Sequence, residues 1–365
     1  MMRDLKQDRK AVVEVQFNWI FILFAGALIL VFFIMIINKQ KDLSDRKLSV
    51  EVLNSLDRIM SGQRASENRQ DIINMFEVEM LYSCGGCDCD FSLSGMSKSK
   101  GTLVVFAPSS MESDRLLTWT QSWDMPFRVT NFIYLTVPEN RYYFIDPPEH
   151  VERDFLENLP ANLTYEIVKA GEDIPTIDDI EFRGEQKVRL VFFGDTGGAP
   201  DMPQDLEDVD DTRVTALVID DTGPAWMNGN AEMLFYLKRG DVFVEDLDEE
   251  QAENSYPALG FSGAYGAVYS DSFQNFKCNM DDAVKRFSFV AEVYKERSWD
   301  LAAAMSNRGD SGGILCGTVL NLGYTIMQAM ESSISSMEST GIFQAISDLN
   351  DVNDNAILNS CPRIY

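Results

Sequence analysis

The sequence predicts an α/β protein: an N-terminal transmembrane helix and amphipathic stalk, then a mixed-sheet domain finished by a layer of C-terminal helices. Three observations predict it. One uncharged apolar run of helical length lies near the start. Short apolar runs alternate with helix-like segments between residues 100 and 275, and three helical segments in succession follow them.

Residues 1–16 form a short basic tail. Residues 17–37 read FNWIFILFAGALILVFFIMII, with no charge between Glu14 and Lys39. As a helix this run of 21 residues rises about 32 Å, the thickness of a hydrocarbon core. A cleavable signal peptide has a shorter apolar region, about 7–15 residues, ending at small residues. Here Asn38, Lys39, Gln40 and Lys41 follow instead. Residues 17–37 are therefore expected to stay in membrane lipid as an anchor, with Trp19 at an interface. Residues 38–72 read as stalk and hinge. Leu48, Val52, Leu56 and Ile59 recur at helical spacing, and 61–72 (SGQRASENRQDI) is polar. The stalk offers too few heptads for a sustained coiled coil, so it is expected to lie against its own domain. Homo-oligomeric pairing is its rival use.

Basic residues leave the orientation open, because Arg3, Lys6, Arg9 and Lys10 precede the span and Lys39, Lys41, Arg46 and Lys47 follow it. The even cysteine count of six and the sequon Asn162-Leu163-Thr164 argue for a cytoplasmic N-terminus and an extracytoplasmic domain over 73–365. Cys84, Cys87 and Cys89 crowd into six residues; Cys278, Cys316 and Cys361 lie far along the chain. Disulfides are the expected state outside a cell. A zinc site needs a fourth ligand from a distant cysteine or from His150, the only histidine, and free thiols are the third alternative. The helical layer, 277–365, suggests pairings. If 280–305, 315–339 and 341–357 run up, down and up, Cys316 comes near Cys361, and Cys278 at the opposite end meets the 84–89 cluster.

Within the domain, 102–107 is a short apolar strand, 111–123 (MESDRLLTWTQSW) reads as a helix capped by Ser109 or Ser110, and 127–137 and 142–146 are strands. A helix over 150–159 precedes a strand at 163–168. The apolar runs 188–193 and 214–220 suit buried strands, and 234–237 with 241–245 forms a hairpin around Lys238-Arg239-Gly240. This order favours one mixed sheet with helices on its faces. No linker divides 80–365.

The net charge is -27, Asp outnumbers Glu, and only 13 of 31 basic residues are Lys. Such a surface repels phosphate backbones, which argues against nucleic acid as a partner. It suits a saline medium, where screening removes self-repulsion.

Several motifs carry chemistry elsewhere. Gly309-Asp310-Ser311-Gly312-Gly313 resembles the nucleophile segment of chymotrypsin-like serine proteases, which implies Ser311 as nucleophile with His150 as the sole available base. The same residues suit a helix-to-helix loop. Asp195-Thr196-Gly197 and Asp221-Thr222-Gly223 resemble the aspartic-protease triplet, but 25 residues between the aspartates are too few for two lobes. If the strands before them are parallel neighbours, Asp195, Asp220 and Asp221 gather where open α/β sheets bind ligands. The acidic run 201–211 (DMPQDLEDVDD) has oxygens for a cation without the spacing of a calcium loop. No catalytic, cofactor-binding or metal-binding residue is assigned on this basis.

The segment Arg9-Lys10-Ala11-Val12-Val13-Glu14-Val15, running into the apolar helix, resembles the start of archaeal type IV pilin-like precursors, which implies cleavage near Ala11 and an assembly role. The layout through Ser360-Cys361-Pro362-Arg363-Ile364-Tyr365 is similar to membrane-anchored proteins of small-genome archaea, a family to which no activity is attached. The expected function is that of a surface interaction or scaffold domain with a protein partner. An anchored hydrolase using Ser311 or the aspartates, and a pilin-like subunit, are the alternatives.

Overall fold

A computed structural model describes residues 8–63, 68–169, 180, 182–194, 196–220, 231–248 and 253–365. The apolar run and the stalk form one helix, α1 (Asp8–Gln63), of 56 residues. Among the described residues nothing buries its stretch Phe21–Gln40, which is long and apolar enough to cross a membrane. Further along, Leu53, Leu56 and Met60 are buried against the domain, with Val52 and Ile59 half-buried beside them. The stalk thus packs on its own chain. The expected hinge over 61–72 is replaced at both ends: the helix continues to Gln63, and a strand begins at Gln70.

The expected single sheet is two. The first has six strands: β1 (Gln70–Gly85), β2 (Asp88–Leu93), β3 (Met96–Ser99), β4 (Val104–Phe106), β5 (Ser110–Asp124) and β6 (Arg128–Thr136). Their order is β3-β2-β1-β5-β6-β4, antiparallel except for the parallel pair β4–β6. The helix expected over 111–123 is the strand β5. Trp119 and Trp123, four apart, share a face in a strand as they do in a helix, so their spacing cannot discriminate. Pairing on both sides, with β1 and β6, decides the matter. It also buries Leu116 through Thr120 without a break, hiding the alternation that marks a strand.

The second sheet holds β7 (Asn140–Ile145), β8 (Tyr165–Val168), β9 (Lys187–Phe193), β10 (Val214–Asp220), β11 (Glu232–Arg239) and β12 (Val242–Glu245), with β13 (Ser255–Pro257) also paired to β11. β8, β7, β9 and β10 are mutually parallel, in that order, and β11 and β12 are antiparallel. The short helix α2 (Glu149–Asp154) lies in the β7–β8 crossover.

Four helices follow: α3 (Phe261–Tyr269), α4 (Phe273–Ser306), α5 (Ser311–Ser335) and α6 (Ser339–Leu358). α3 and the start of α4 bind the sheets into one core. Trp119 and Tyr134 of the first sheet meet Tyr265 and Tyr269, and Tyr142 of the second meets Tyr269. Phe276 touches both Phe106 and Phe235. α3 fits because it has little side-chain bulk. A Cβ on Gly266 would come within 2.8 Å of the Phe106 ring, and Gly263 lies against the Ala258 carbonyl.

Candidate functional site

The parallel strands supply the first place to look. β7 has β8 on one side and β9 on the other, so its carboxyl end is a topological switch point, where open sheets bind ligands. Asp146 follows β7 with φ +48°, a conformation aspartate tolerates, and its amide donates to the Val168 carbonyl at 2.8 Å. β9 and β10 are parallel neighbours, Phe193 facing Ile219, which leaves Asp220 at the strand end opposite Glu232 of β11. Burial lifts the Glu232 carboxyl above its ordinary range. A hydrogen bond with Ser255 opposes the shift, and the Asp220 charge reinforces it. Asp195 and the triplet Asp221-Thr222-Gly223 lie outside the described residues. The edge carries more acid than base: α2 opens with Glu149 and Glu152 in its first turn, and Lys169, just after β8, is already paired with Glu152. Among the described residues no group of three or more His, Cys, Asp or Glu is arranged to hold a metal ion.

In the acidic run 201–211, Asp210 accepts from the Thr212 amide at 2.9 Å. Asp211 accepts from the buried Lys238 ammonium at 3.0 Å and from the Gly240 amide at 3.1 Å. Asp210 thus caps its own turn, and Asp211 braces that turn, before β10, against the β11–β12 hairpin.

The Gly309-Gly313 segment joins α4 to α5. Gly309 adopts φ +71° just beyond α4, Asp310 caps α5, and Ser311 is its first residue. The Asp310 carboxylate accepts the Gly313 amide at 2.5 Å, and the Gly309 amide, one of the two that the resemblance would place in an oxyanion hole, donates to the Ser306 carbonyl at 3.3 Å. Gly313 is small because a Cβ there would sit 2.6 Å from the Met305 carbonyl. His150 lies on α2, in the crossover of the second sheet, not on the elements that carry Ser311. Arg308 pairs with Asp310 at 3.2 Å within the same turn.

A polar cluster that the sequence reading passed over lies between the sheets. Asp271, between α3 and α4, accepts from the Ser109 amide at 2.7 Å, from the Ser109 hydroxyl at 3.0 Å, and from Lys187 of β9. Lys187 also donates to the Ser109 hydroxyl at 2.9 Å. Serine beside lysine can form a nucleophile–base pair only if the lysine is neutral. Here its ammonium is paired to a buried carboxylate, so the cluster is a structural pin. Burial raises the Asp271 carboxyl, but Lys187, the Ser109 amide and Arg189 outweigh it and hold it below its usual range. Arg189, pushed down to about 10 by burial, stays charged at neutral pH. It donates to the Ala216 and Ala267 carbonyls at 3.2 and 3.1 Å and lies over the Phe235 ring. The available signal was Lys187 and Arg189 alternating with apolar residues in a buried strand.

All six cysteines pair: Cys84 with Cys89, Cys87 with Cys278, and Cys316 with Cys361. The first bridge joins residues directly opposite in the β1–β2 pair. The second ties that hairpin to α4, where Asn275 and Asn279 extend the link. The Cys84 amide donates to Asn275 Oδ1 at 3.0 Å, and the Val105 amide donates to Asn279 Oδ1 at 2.9 Å. The third fastens the segment after α6 to the start of α5.

Fold and bonding therefore define a disulfide-linked, two-sheet α/β protein with a long apolar N-terminal helix. No protein-family model, curated protein or solved structure matches the chain.

Proposed function

We propose that the chain is a single-pass membrane protein whose α/β domain stands on the oxidising side and acts by binding another protein. The observation that carries this reading is the bare stretch Phe21–Gln40 of α1, which has no burial partner in a chain whose other long helices all have one. Left in water, such a surface would drive aggregation; in hydrocarbon it is satisfied. The continuous helix and the packed stalk make the tether stiff, so the domain stands at a set height above the lipid. Three disulfides and no free thiol suit an exterior location. Binding is favoured over catalysis because the Gly309 amide and the Asp310 carboxylate beside Ser311, Asp210, Asp211 and the Ser109–Lys187–Asp271 cluster are each engaged in holding the fold.

The test is topological. A membrane-impermeant protease applied to intact cells should digest the domain, and an impermeant maleimide should label it only after reduction. Protection from the protease, together with labelling of unreduced thiols after lysis, would place the domain in the cytoplasm and end this reading.

A further inference from the structure

α5 carries one charged residue in 25, Glu331, and Lys295 of α4 holds that carboxylate at 2.7 Å. Ile314, Leu315, Thr318, Asn321, Leu322 and Thr325 are all exposed, and at 3.6 residues per turn they fall within about 120° of arc. This is an uncharged face on a chain of net charge -27. Ile314 is 58% exposed, Leu322 53% and Leu315 46%, and the three share one face instead of being scattered singly. Beside them, a groove of about 320 Å³ between α4 and α5 is lined by Trp299, Ala302, Ala303 and Gly317 together with the small polar side chains of Ser306, Thr318 and Asn321. Gly317 lets α5 approach α4 closely at the groove, because a Cβ there would collide with Ser306. Projecting aliphatic side chains and a concave strip thus lie on one helix.

Charge decides the occupant. Glu292, Glu296, Arg297 and Asp300 are exposed on the adjoining α4. Sinking this bundle into hydrocarbon would take some of them along, and charges are costly at the bilayer centre. Anionic lipid heads would meet a chain of like sign. Two copies of this chain repel wherever carboxylates face each other within the Debye length of about 8 Å. The α5 face removes that opposition, since its centre is neutral and its charges sit at the rim, as interface cores are depleted of charge. A twofold contact also needs a self-complementary patch, with projections and recess on the same surface.

We propose that α5 is a homotypic docking surface, on which a second copy of this chain lays its own α5 so that Leu315 and Leu322 of each enter the groove of the other. This deepens the interaction reading and rests on it for the shared membrane that concentrates the copies.

Because every native cysteine is paired, one introduced cysteine is the only free thiol. Full-length Thr318→Cys in native membranes, treated with a bis-maleimide, should give covalent dimer, whereas Glu245→Cys on β12 should give about tenfold less or none. Adding Leu322→Glu to Thr318→Cys should cut the dimer about tenfold or more, since like charges then face each other. If that variant unfolds, the exposed substitution Asn321→Glu serves in its place. Equal cross-linking at 318 and 245, or no loss with either glutamate, would overturn the proposal. So would loss of binding to zwitterionic vesicles without loss of dimer, which would assign the face to lipid. Recovery of the full chain in the aqueous fraction would sink the anchored reading instead. The same variants compared by light scattering would then still decide the α5 contact.

Discussion

Asp271 and Lys187 hold opposite charges where water hardly reaches, so each depends on the other. Asp271→Asn leaves a buried ammonium unpaired and should lower unfolding free energy by about 3–5 kcal/mol at neutral pH, measured by denaturant titration. The sign with pH follows from the carboxyl's depressed value in the fold. Its contribution is complete above the unfolded value of about 3.9 and is lost as pH falls through the lower folded value. The difference between the parent and Asp271→Asn should therefore narrow only below about pH 4. Asn162 is a second residue-scale test, since it is exposed in the turn before β8. If the domain faces outward, a glycan mass should be present and should vanish in Asn162→Gln. An unmodified Asn162 in the mature protein would remove that support.

At the scale of elements, the three bridges close loops of very different length. Sequence separations of 191, 45 and 5 correspond, in the chain-entropy model, to about 5, 4 and 2 kcal/mol. Replacing Cys87 and Cys278 together by serine should thus lower the thermal midpoint most, and replacing Cys84 and Cys89 least. The reverse order in calorimetry would mean that the link from hairpin to α4 is redundant with Asn275 and Asn279. The Cys316–Cys361 bridge and the link from Cys278 to the 84–89 cluster were legible because three helices running up, down and up bring those cysteines together, whereas the choice of Cys87, and with it the Cys84–Cys89 bridge, was not. Legible too were β9 and β10, whose burial on both faces writes a continuous apolar run. β1 was not, because its start falls in the polar stretch 61–72 and its residues 70–79 are exposed or only half-buried, so no clean alternation marks them. α3 escaped because Gly263, Gly266 and β-branched or aromatic neighbours make a poor helix until two sheets enclose it. Of the candidate sites, the Ser311 turn could be read from local chemistry. The Ser109–Lys187–Asp271 cluster joins residues up to 162 positions apart, which no local pattern announces.

For the whole molecule, a net charge of -27 opposes both compaction and association. Raising sodium chloride from about 0.05 M to about 1 M shortens the Debye length from above 10 Å to about 3 Å, so thermal stability and solubility should both increase. A flat or falling midpoint would mean that carboxylates already held by lysine and arginine dominate the balance. The central claim concerns α1, whose bare stretch is expected to reside in lipid. Alkaline carbonate extraction of cell membranes tests it most directly. The account predicts that the full chain remains in the pellet and is released only by detergent, while a chain beginning at Lys41 is recovered in the supernatant. Full-length protein in the carbonate supernatant would contradict it.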